Sequence, residues 1–205
     1  MCRPHAPLRF SAVDQRRLFG IVLATMLTIG QPTAHAETAQ VTVGGPFTLT
    51  ASDGSTVTDQ TYRGKWLLVL FGYTSCPNLC PTVLNEVTGA LQIFGAEAAR
   101  LQPIFITVDP VRDTPEVMGK YTSAFDPRIV GLTGNPQQIA AITQEYGAYS
   151  EHRKTGAGAG DYVVDHSTYI YIVDPLGNFV RGLDFDTPSD RIVEILRKLM
   201  TQSRE

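Results

Sequence analysis

Three apolar runs, each followed by a segment with helical spacing, constrain the fold of this chain most strongly. The runs are KWLLVLF (65–71), PIFITVD (103–109) and RIVGLTG (128–134), and the first is apolar without a break from Leu67 to Phe71. Such a continuous run is typical of a strand that is buried on both faces. Because strands that alternate with helices form parallel sheets, we expect an α/β fold.

The segments after these runs carry the signals of three helices. The first helix is expected to begin near Pro81, and Thr114-Pro115 and Asn135-Pro136-x-Gln138 are typical starts for the second and third. Apolar residues at the spacing of one helix face predict the inner faces of the first and third helices: Leu84, Val87, Leu91 and Phe94, then Ile139, Ile142 and Tyr146.

Hairpins are predicted on both sides of this alternating region. Within residues 37–65, the pieces PFTLT and STVTD surround the turn Asp53-Gly54, and STYIYIVDPLGNFVRGL (167–183) reads as two strands joined at 175–178. A central mixed sheet flanked by helices, with an N-terminal hairpin, is the expected result. This order of elements is that of a thioredoxin-like fold.

Two further segments complete the prediction. The Gly/Ala-rich stretch 150–165 is predicted to be a mobile loop. Thr187-Pro188-x-Asp190 is predicted to cap a last helix whose inner face is Ile192, Ile195, Leu196 and Leu199.

Residues 1–36 have the features of a cleaved export signal. Four arginines precede the apolar run Leu18 to Ile29, and Ala34-His35-Ala36 has the form of a signal-peptidase site. The run is shorter than the roughly 20 residues that cross a bilayer, which disfavours an uncleaved anchor. We therefore expect a periplasmic protein that is soluble after cleavage, with residues 37–205 as its single domain.

The charge of residues 37–205 disfavours nucleic acid as a partner. Removing four arginines and Asp14 from the 17 basic and 20 acidic residues leaves 13 and 19, a net charge of −6. Nucleic-acid-binding surfaces are basic. We expect a monomer.

Cys76 and Cys80, in YTSCPNLCP, are the only cysteines beyond the leader, and they follow the first buried strand directly. The carboxyl ends of strands carry the ligand sites of open α/β sheets, and a helix N-terminus favours thiolate over thiol. A disulfide between them would close a very small loop and add little stability. A redox pair and a pair of metal ligands remain, and the spacing alone does not decide between them.

His166 favours the metal. It precedes the strand that opens the final hairpin, in the loop that faces the first helix in a thioredoxin-like layout, where redox members of that fold carry a cis-proline. Two thiolates and an imidazole form a soft, three-coordinate set that suits Cu(I). Asp165 and Asp109 are candidate partners of the imidazole. His152, in the charged segment SEHRK, is predicted to be a solvated surface residue.

Four segments together resemble the Sco/SenC family of copper-binding, thioredoxin-like proteins. They are GKWLLVLFGYTSCPNLCPTVL, PIFITVDPVRDTPE, IVGLTG and DYVVDHSTYIYIVDPLGNF, in the family's order. The resemblance implies that Cys76, Cys80 and His166 bind copper, as Cu(I), Cu(II) or both. It also matches Asp109-Pro110 and Asp113 to the family's acidic segment.

The resemblance implies a metallochaperone that assists assembly of the copper centre of cytochrome c oxidase. The partner would be the copper-accepting subunit of the oxidase or another exported copper protein. Many family members are membrane-tethered, whereas this chain shows a cleavable signal and no lipid-bearing cysteine after it.

Two alternatives use the same cysteines for catalysis. In a thiol-disulfide oxidoreductase, Cys76 would attack the cysteines of the oxidase copper site or of another exported protein, and Cys80 would resolve the intermediate. A thiol peroxidase would need a hydroxyl group and an arginine near Cys76. Thr74 offers the hydroxyl, but Tyr73 stands where peroxiredoxins carry their threonine.

Overall fold

The computed structural model describes residues 43–203, and the predicted leader lies outside them. The elements are β1 (Thr48–Ala51), β2 (Thr56–Thr58), β3 (Trp66–Gly72), α1 (Leu79–Phe94), a 3-10 helix (Gly95–Arg100), β4 (Leu101–Thr107), α2 (Pro115–Ser123), β5 (Val130–Thr133), α3 (Pro136–Glu145), β6 (Ser150–Lys154), β7 (Tyr162–His166), β8 (Tyr169–Val173), β9 (Phe179–Asp184) and α4 (Ser189–Gln202).

Seven strands form one mixed sheet in the order β2-β1-β5-β4-β3-β8-β9. Strands β3, β4 and β5 are parallel, while β1 and β8 join this parallel core in antiparallel orientation. Every residue of β3 is buried, as its uninterrupted apolar sequence predicts, and every residue of β4 is buried too, including the polar Gln102 and Thr107. The predicted mixed sheet with an N-terminal hairpin is confirmed.

The helices cover this sheet with the apolar faces that their spacing predicts. Helix α1 packs against α4, and α2 and α3 contact the β1–β5 side of the sheet. Val83, Leu84, Val87 and Leu91 of α1 are all almost fully buried. The buried end of β3 therefore leads directly into a helix that is fixed on the sheet, which gives the cysteine segment between them a rigid frame.

Two of the three predicted caps are present. Thr114 accepts a hydrogen bond from the Val117 amide, and Asn135 and Gln138 form a reciprocal capping box. The prediction for α4 is wrong, because Thr187 does not cap this helix. Its N-cap is Pro188, and Glu86 of α1 instead accepts hydrogen bonds from the Ser189 amide and hydroxyl, both at 2.7 Å.

Helix α1 starts two residues before the predicted position, at Leu79. Proline lacks only an N–H group that the first helical turn does not use, so Pro81 is tolerated at the third helical position. Cys80 consequently lies inside the helix, and only Cys76 lies in the preceding loop.

The prediction of a mobile loop at 150–165 is wrong. Strands β6 and β7 form an antiparallel hairpin there, with Ser150 opposite His166 and Lys154 opposite Tyr162. Among the described strands, these two pair only with each other. We call residues 150–166 the histidine hairpin, because it ends in His166.

Candidate metal centre

Cys76, Cys80 and His166 converge at the carboxyl end of β3. One ligand atom from each lies within 4.8 Å of the other two, and within residues 43–203 neither cysteine forms a disulfide. The cysteines belong to the turn from β3 into α1, while the histidine arrives from the end of β7. Three donors therefore meet at one point, although His166 follows Cys80 by 86 positions in the sequence.

The Cys76 sulfur lies over the first turn of α1. The Cys80 amide donates a hydrogen bond to Cys76 Sγ at 3.4 Å, and the N-cap residue, Asn78, makes no side-chain cap. Because the first amides of a helix have no partner within it, the sulfur takes the position of a capping group. Cys76 is 8% exposed and Cys80 is completely buried.

His166 presents Nε2 to the cysteines. This nitrogen lies 3.7 Å from Cys80 Sγ, and the other ring nitrogen, Nδ1, lies 2.9 Å from the Ser167 carbonyl oxygen. Since a carbonyl can only accept, Nδ1 is the donor and the lone pair of Nε2 is directed at the cysteines. The rings of Tyr73 and Phe185 also pack near the imidazole, with ring centres 5.8 Å and 6.2 Å from its centre.

Neither predicted aspartate orients the imidazole. Asp165 is paired with Arg153 at 2.9 Å in an exposed ion pair, and Asp109 is paired with Arg112. The backbone of Ser167 performs the predicted role. A pattern of side chains could not have predicted this role for a backbone carbonyl group. His152 is a half-exposed residue on β6, not on a loop, and its ring packs on that of Tyr162.

Gly72 and Asp113 also support the site, although the sequence pattern alone predicts no role for either. A Cβ on Gly72 would lie 2.6 Å from Cys80 Sγ. The buried Asp113 carboxyl group accepts hydrogen bonds from the Thr74 amide, the Thr74 hydroxyl and the Thr107 hydroxyl at 2.6–3.0 Å. For Gly72, the available signal in the sequence was a glycine at the end of a buried strand, which often marks a close approach of another group.

The donor set and its spacing fit a soft metal ion. Typical bonds from a first-row metal are about 2.3 Å to sulfur and about 2.0 Å to nitrogen, so one ion can contact two such atoms that lie up to roughly 4.3 Å apart. The 3.7 Å between Cys80 Sγ and His166 Nε2 is within this limit. Thiolate and imidazole ligands together favour copper or zinc over magnesium or calcium.

Comparison with known proteins identifies the family of this chain. The SCO1/SenC family model matches residues 35–201. The chain belongs to the SCO1/SenC family. Its fold is shared with copper-bound ScoI from Bradyrhizobium japonicum (41% identity, 76% of this chain and 98% of that chain, TM-score 0.71).

Other Sco relatives agree with this assignment. Copper-bound ScoI from Arabidopsis thaliana is 35% identical over 78% of this chain and 99% of that chain, with a TM-score of 0.72. A SCO2-like protein from Rickettsia prowazekii is 35% identical over 77% of each chain. The predicted family and the thioredoxin-like fold are therefore confirmed.

The two cysteines of this Sco family protein have very different acidities. The hydrogen bond with Cys80 lowers the pKa of Cys76 to about 4, although burial of the thiol acts in the opposite direction. The same hydrogen bond, together with complete burial, raises the pKa of the Cys80 thiol. Cys76 is consequently the thiolate at neutral pH, and the Cys80 thiol stays protonated and donates a hydrogen bond to it.

We expect alkylation of metal-free, reduced protein to reveal this difference. The rate at Cys76 should stay constant from about pH 8 to pH 5 and fall about tenfold per pH unit below pH 4, because only the thiolate reacts. In Cys80→Ala the midpoint should move upward, and in urea it should approach about 8.5. Peptide mass spectrometry separates the two sites. A midpoint near 8.5 in folded protein would contradict the assigned hydrogen bond.

Proposed function

We propose that this protein binds one copper ion through Cys76, Cys80 and His166 and delivers it to a copper-accepting protein. The convergence of two sulfurs and one imidazole nitrogen within 4.8 Å carries the proposal. Its support from relatives is that ScoI proteins from two organisms have been solved with copper bound. Soft thiolate ligands and few donors favour Cu(I), and the imidazole also suits Cu(II).

The acceptor proposed is the copper-binding subunit of cytochrome c oxidase or another exported copper protein. Sco family proteins are associated with copper handling and with cytochrome oxidase assembly. Export by residues 1–36 and action in the periplasm are part of the same proposal. Among residues 43–203, no helix has the length and apolar character needed to cross a bilayer.

The route of delivery follows from the exposure of the ligands. Cys76 and His166 line an open cleft between the cysteine loop and β7, together with Pro77, Leu79 and Val164. Cys80 does not line this cleft and is completely buried. Ligands from an acceptor would therefore replace Cys76 and His166 first and Cys80 last.

The contrast in cysteine acidity favours thiol-disulfide exchange as a second candidate. The Cys76 thiolate would attack an acceptor disulfide and release one acceptor thiolate. Cys80, after losing its proton, would attack Cys76 Sγ and release the second. The acceptor disulfide gains two electrons and Cys76 and Cys80 become a disulfide. A dithiol reductant would then have to restore the pair.

The contacts around Cys76 weigh against peroxide reduction. The Thr74 hydroxyl donates a hydrogen bond to Asp113, and Arg112 donates hydrogen bonds to Asp109 and to the Tyr162 carbonyl. Arg153, which lines the cleft, is paired with Asp165. Apart from Arg112 Nη2, which has no hydrogen-bond partner within residues 43–203, the groups that would polarise a peroxide are thus bound to other partners.

A transfer assay distinguishes delivery from reduction. We expect protein loaded with Cu(I) to pass copper to a reduced, metal-free copper-centre domain of an oxidase subunit, and His166→Ala to retain copper less well during gel filtration. His166→Ala should still reduce the oxidised domain if Cys76 and Cys80 exchange disulfides, whereas Cys80→Ser should fail in both assays. Reduction of the domain without any copper transfer would favour the second candidate and contradict delivery.

A further inference from the structure

The position of His166 depends on the histidine hairpin, which has few contacts with the rest of the protein. All five residues of β6 are exposed, and Val164 is the one buried residue of β7. Within residues 43–203, the hairpin strands form no backbone ladder with the seven-stranded sheet. A small number of side-chain contacts must therefore hold the hairpin, and with it the imidazole, in place.

These contacts concentrate on Tyr162, the first residue of β7. Its hydroxyl donates a hydrogen bond to Asp109 Oδ1 at 2.8 Å, and its backbone carbonyl accepts one from Arg112 Nη1 at 3.3 Å. The Arg112 guanidinium also lies 3.9 Å from the centre of the Tyr162 ring. A cation–π contact and two hydrogen bonds to charged side chains thus join one hairpin residue to the loop after β4.

The Arg112 guanidinium also lies close to the segment that carries Cys76. Arg112 lies 5.6 Å from the centre of the Tyr73 ring, and Tyr73 in turn contacts the His166 ring edge-on at 5.8 Å. Asp109 is completely buried and is ion-paired with Arg112. We call Asp109, Arg112 and Tyr162 the polar cluster. It connects the loop after β4, the histidine hairpin and, through Tyr73, the segment that carries Cys76.

We infer that the polar cluster positions His166 at the metal centre by fixing the histidine hairpin. Tyr162 and His166 are the two ends of β7, a distance of about 13 Å for four residues of strand. A small rotation of the hairpin about Tyr162 would move Nε2 by more than a metal bond tolerates. The cluster would therefore set how often the imidazole is in place, and hence how readily copper is released to an acceptor.

This inference rests on the proposed copper site, but its first test does not need copper. In Tyr162→Phe the ring remains over Arg112 and only the hydroxyl contact with Asp109 is lost. We expect amide hydrogen exchange in β6 and β7 of the metal-free protein to become about tenfold faster, with exchange in β3 and β4 unchanged. The matched control is Tyr149→Phe, because the one hydrogen bond of the Tyr149 hydroxyl among the described residues is to Glu151, a hairpin residue.

The second test measures the imidazole itself. Loaded with Cu(II), Tyr162→Phe should lose part of the nitrogen coupling in its electron paramagnetic resonance spectrum, and its Cu(I) dissociation constant should rise towards that of His166→Ala. The double variant Asp109→Asn with Arg112→Gln, which removes both charges together, should show a larger change. Tyr149→Phe should match the unmodified protein in both measurements.

The outcomes separate the two proposals. Unchanged hairpin exchange in Tyr162→Phe and in the double variant would overturn the inference. Faster exchange with unaltered nitrogen coupling would also overturn it, because the hairpin would then not position His166. If His166→Ala binds copper as tightly as the unmodified protein, the proposed site itself fails, whatever the exchange rates are.

Discussion

Gly72→Ala is expected to destabilise the protein by about 2–3 kcal/mol and to abolish tight copper binding. The new Cβ would lie 2.6 Å from both Cys80 Sγ and Phe105 Cε2. Both neighbouring side chains are completely buried, so neither has room to move away. Because Cys80 is a proposed ligand, relief of the overlap must displace its sulfur. Chemical unfolding and Cu(I) competition titration measure the two effects.

Gly182→Ala is the matched control. Gly182 also lies in a strand, β9, but a Cβ there would meet Tyr169 at 3.7 Å, an ordinary van der Waals distance. We expect its stability to change by less than about 0.5 kcal/mol. Equal effects of the two substitutions would show that loss of glycine in a strand, and not contact with Cys80, is responsible.

Asp113→Ala is expected to reduce stability by about 3–5 kcal/mol, because three donors lose their buried acceptor. The Thr74 amide and hydroxyl and the Thr107 hydroxyl all donate to this carboxyl group. Thr74 lies two residues before Cys76, so the cysteine loop should shift and copper binding should weaken. Thermal unfolding should show a decrease in Tm of roughly 10 °C.

Two further variants test the cause of this effect. Asp113→Asn keeps one acceptor oxygen and should be intermediate. Asp186→Ala removes an exposed carboxylate from the loop before α4 and should leave Tm within about 2 °C. If Asp113→Ala were as mild as Asp186→Ala, the hydrogen bonds assigned to Asp113 would not support the cysteine loop.

The sheet and the cysteine segment were predictable because their signals are local and strong. An unbroken apolar run identified β3, and the helical spacing after it identified α1. The capping box of Asn135 and Gln138 lies within four consecutive residues and formed as expected. Such features need no knowledge of contacts between distant parts of the chain.

The histidine hairpin was missed because it lacks the pattern that reveals a strand. The SEHRK sequence of β6 is polar throughout and exposed along its whole length, so it shows no alternation of apolar and polar residues. The stretch TGAGAGD (155–161) connects its strands and resembles a long loop in composition. The pairing of β6 with β7 could therefore be recognised only from the structure.

Other errors arose where distant residues decide a local feature. The cap of α4 comes from Glu86, 103 positions earlier in the chain. The imidazole is oriented by a backbone carbonyl at Ser167, which no residue type specifies. His166 itself was found because a thioredoxin-like layout places its segment opposite the cysteines, and the three side chains do converge.

The central claim is that Cys76, Cys80 and His166 form one copper site, and a copper titration tests it most directly. Reduced protein carrying Cys2→Ser, which removes the third thiol, is titrated with Cu(I) against a chromogenic chelator, beside Cys76→Ser, His166→Ala and Asp165→Asn in the same background. We predict one copper per chain, a dissociation constant raised at least about tenfold in the first two variants, and no change in Asp165→Asn, whose carboxylate pairs with Arg153. Absence of binding, or binding that is as tight in His166→Ala, would contradict the claim.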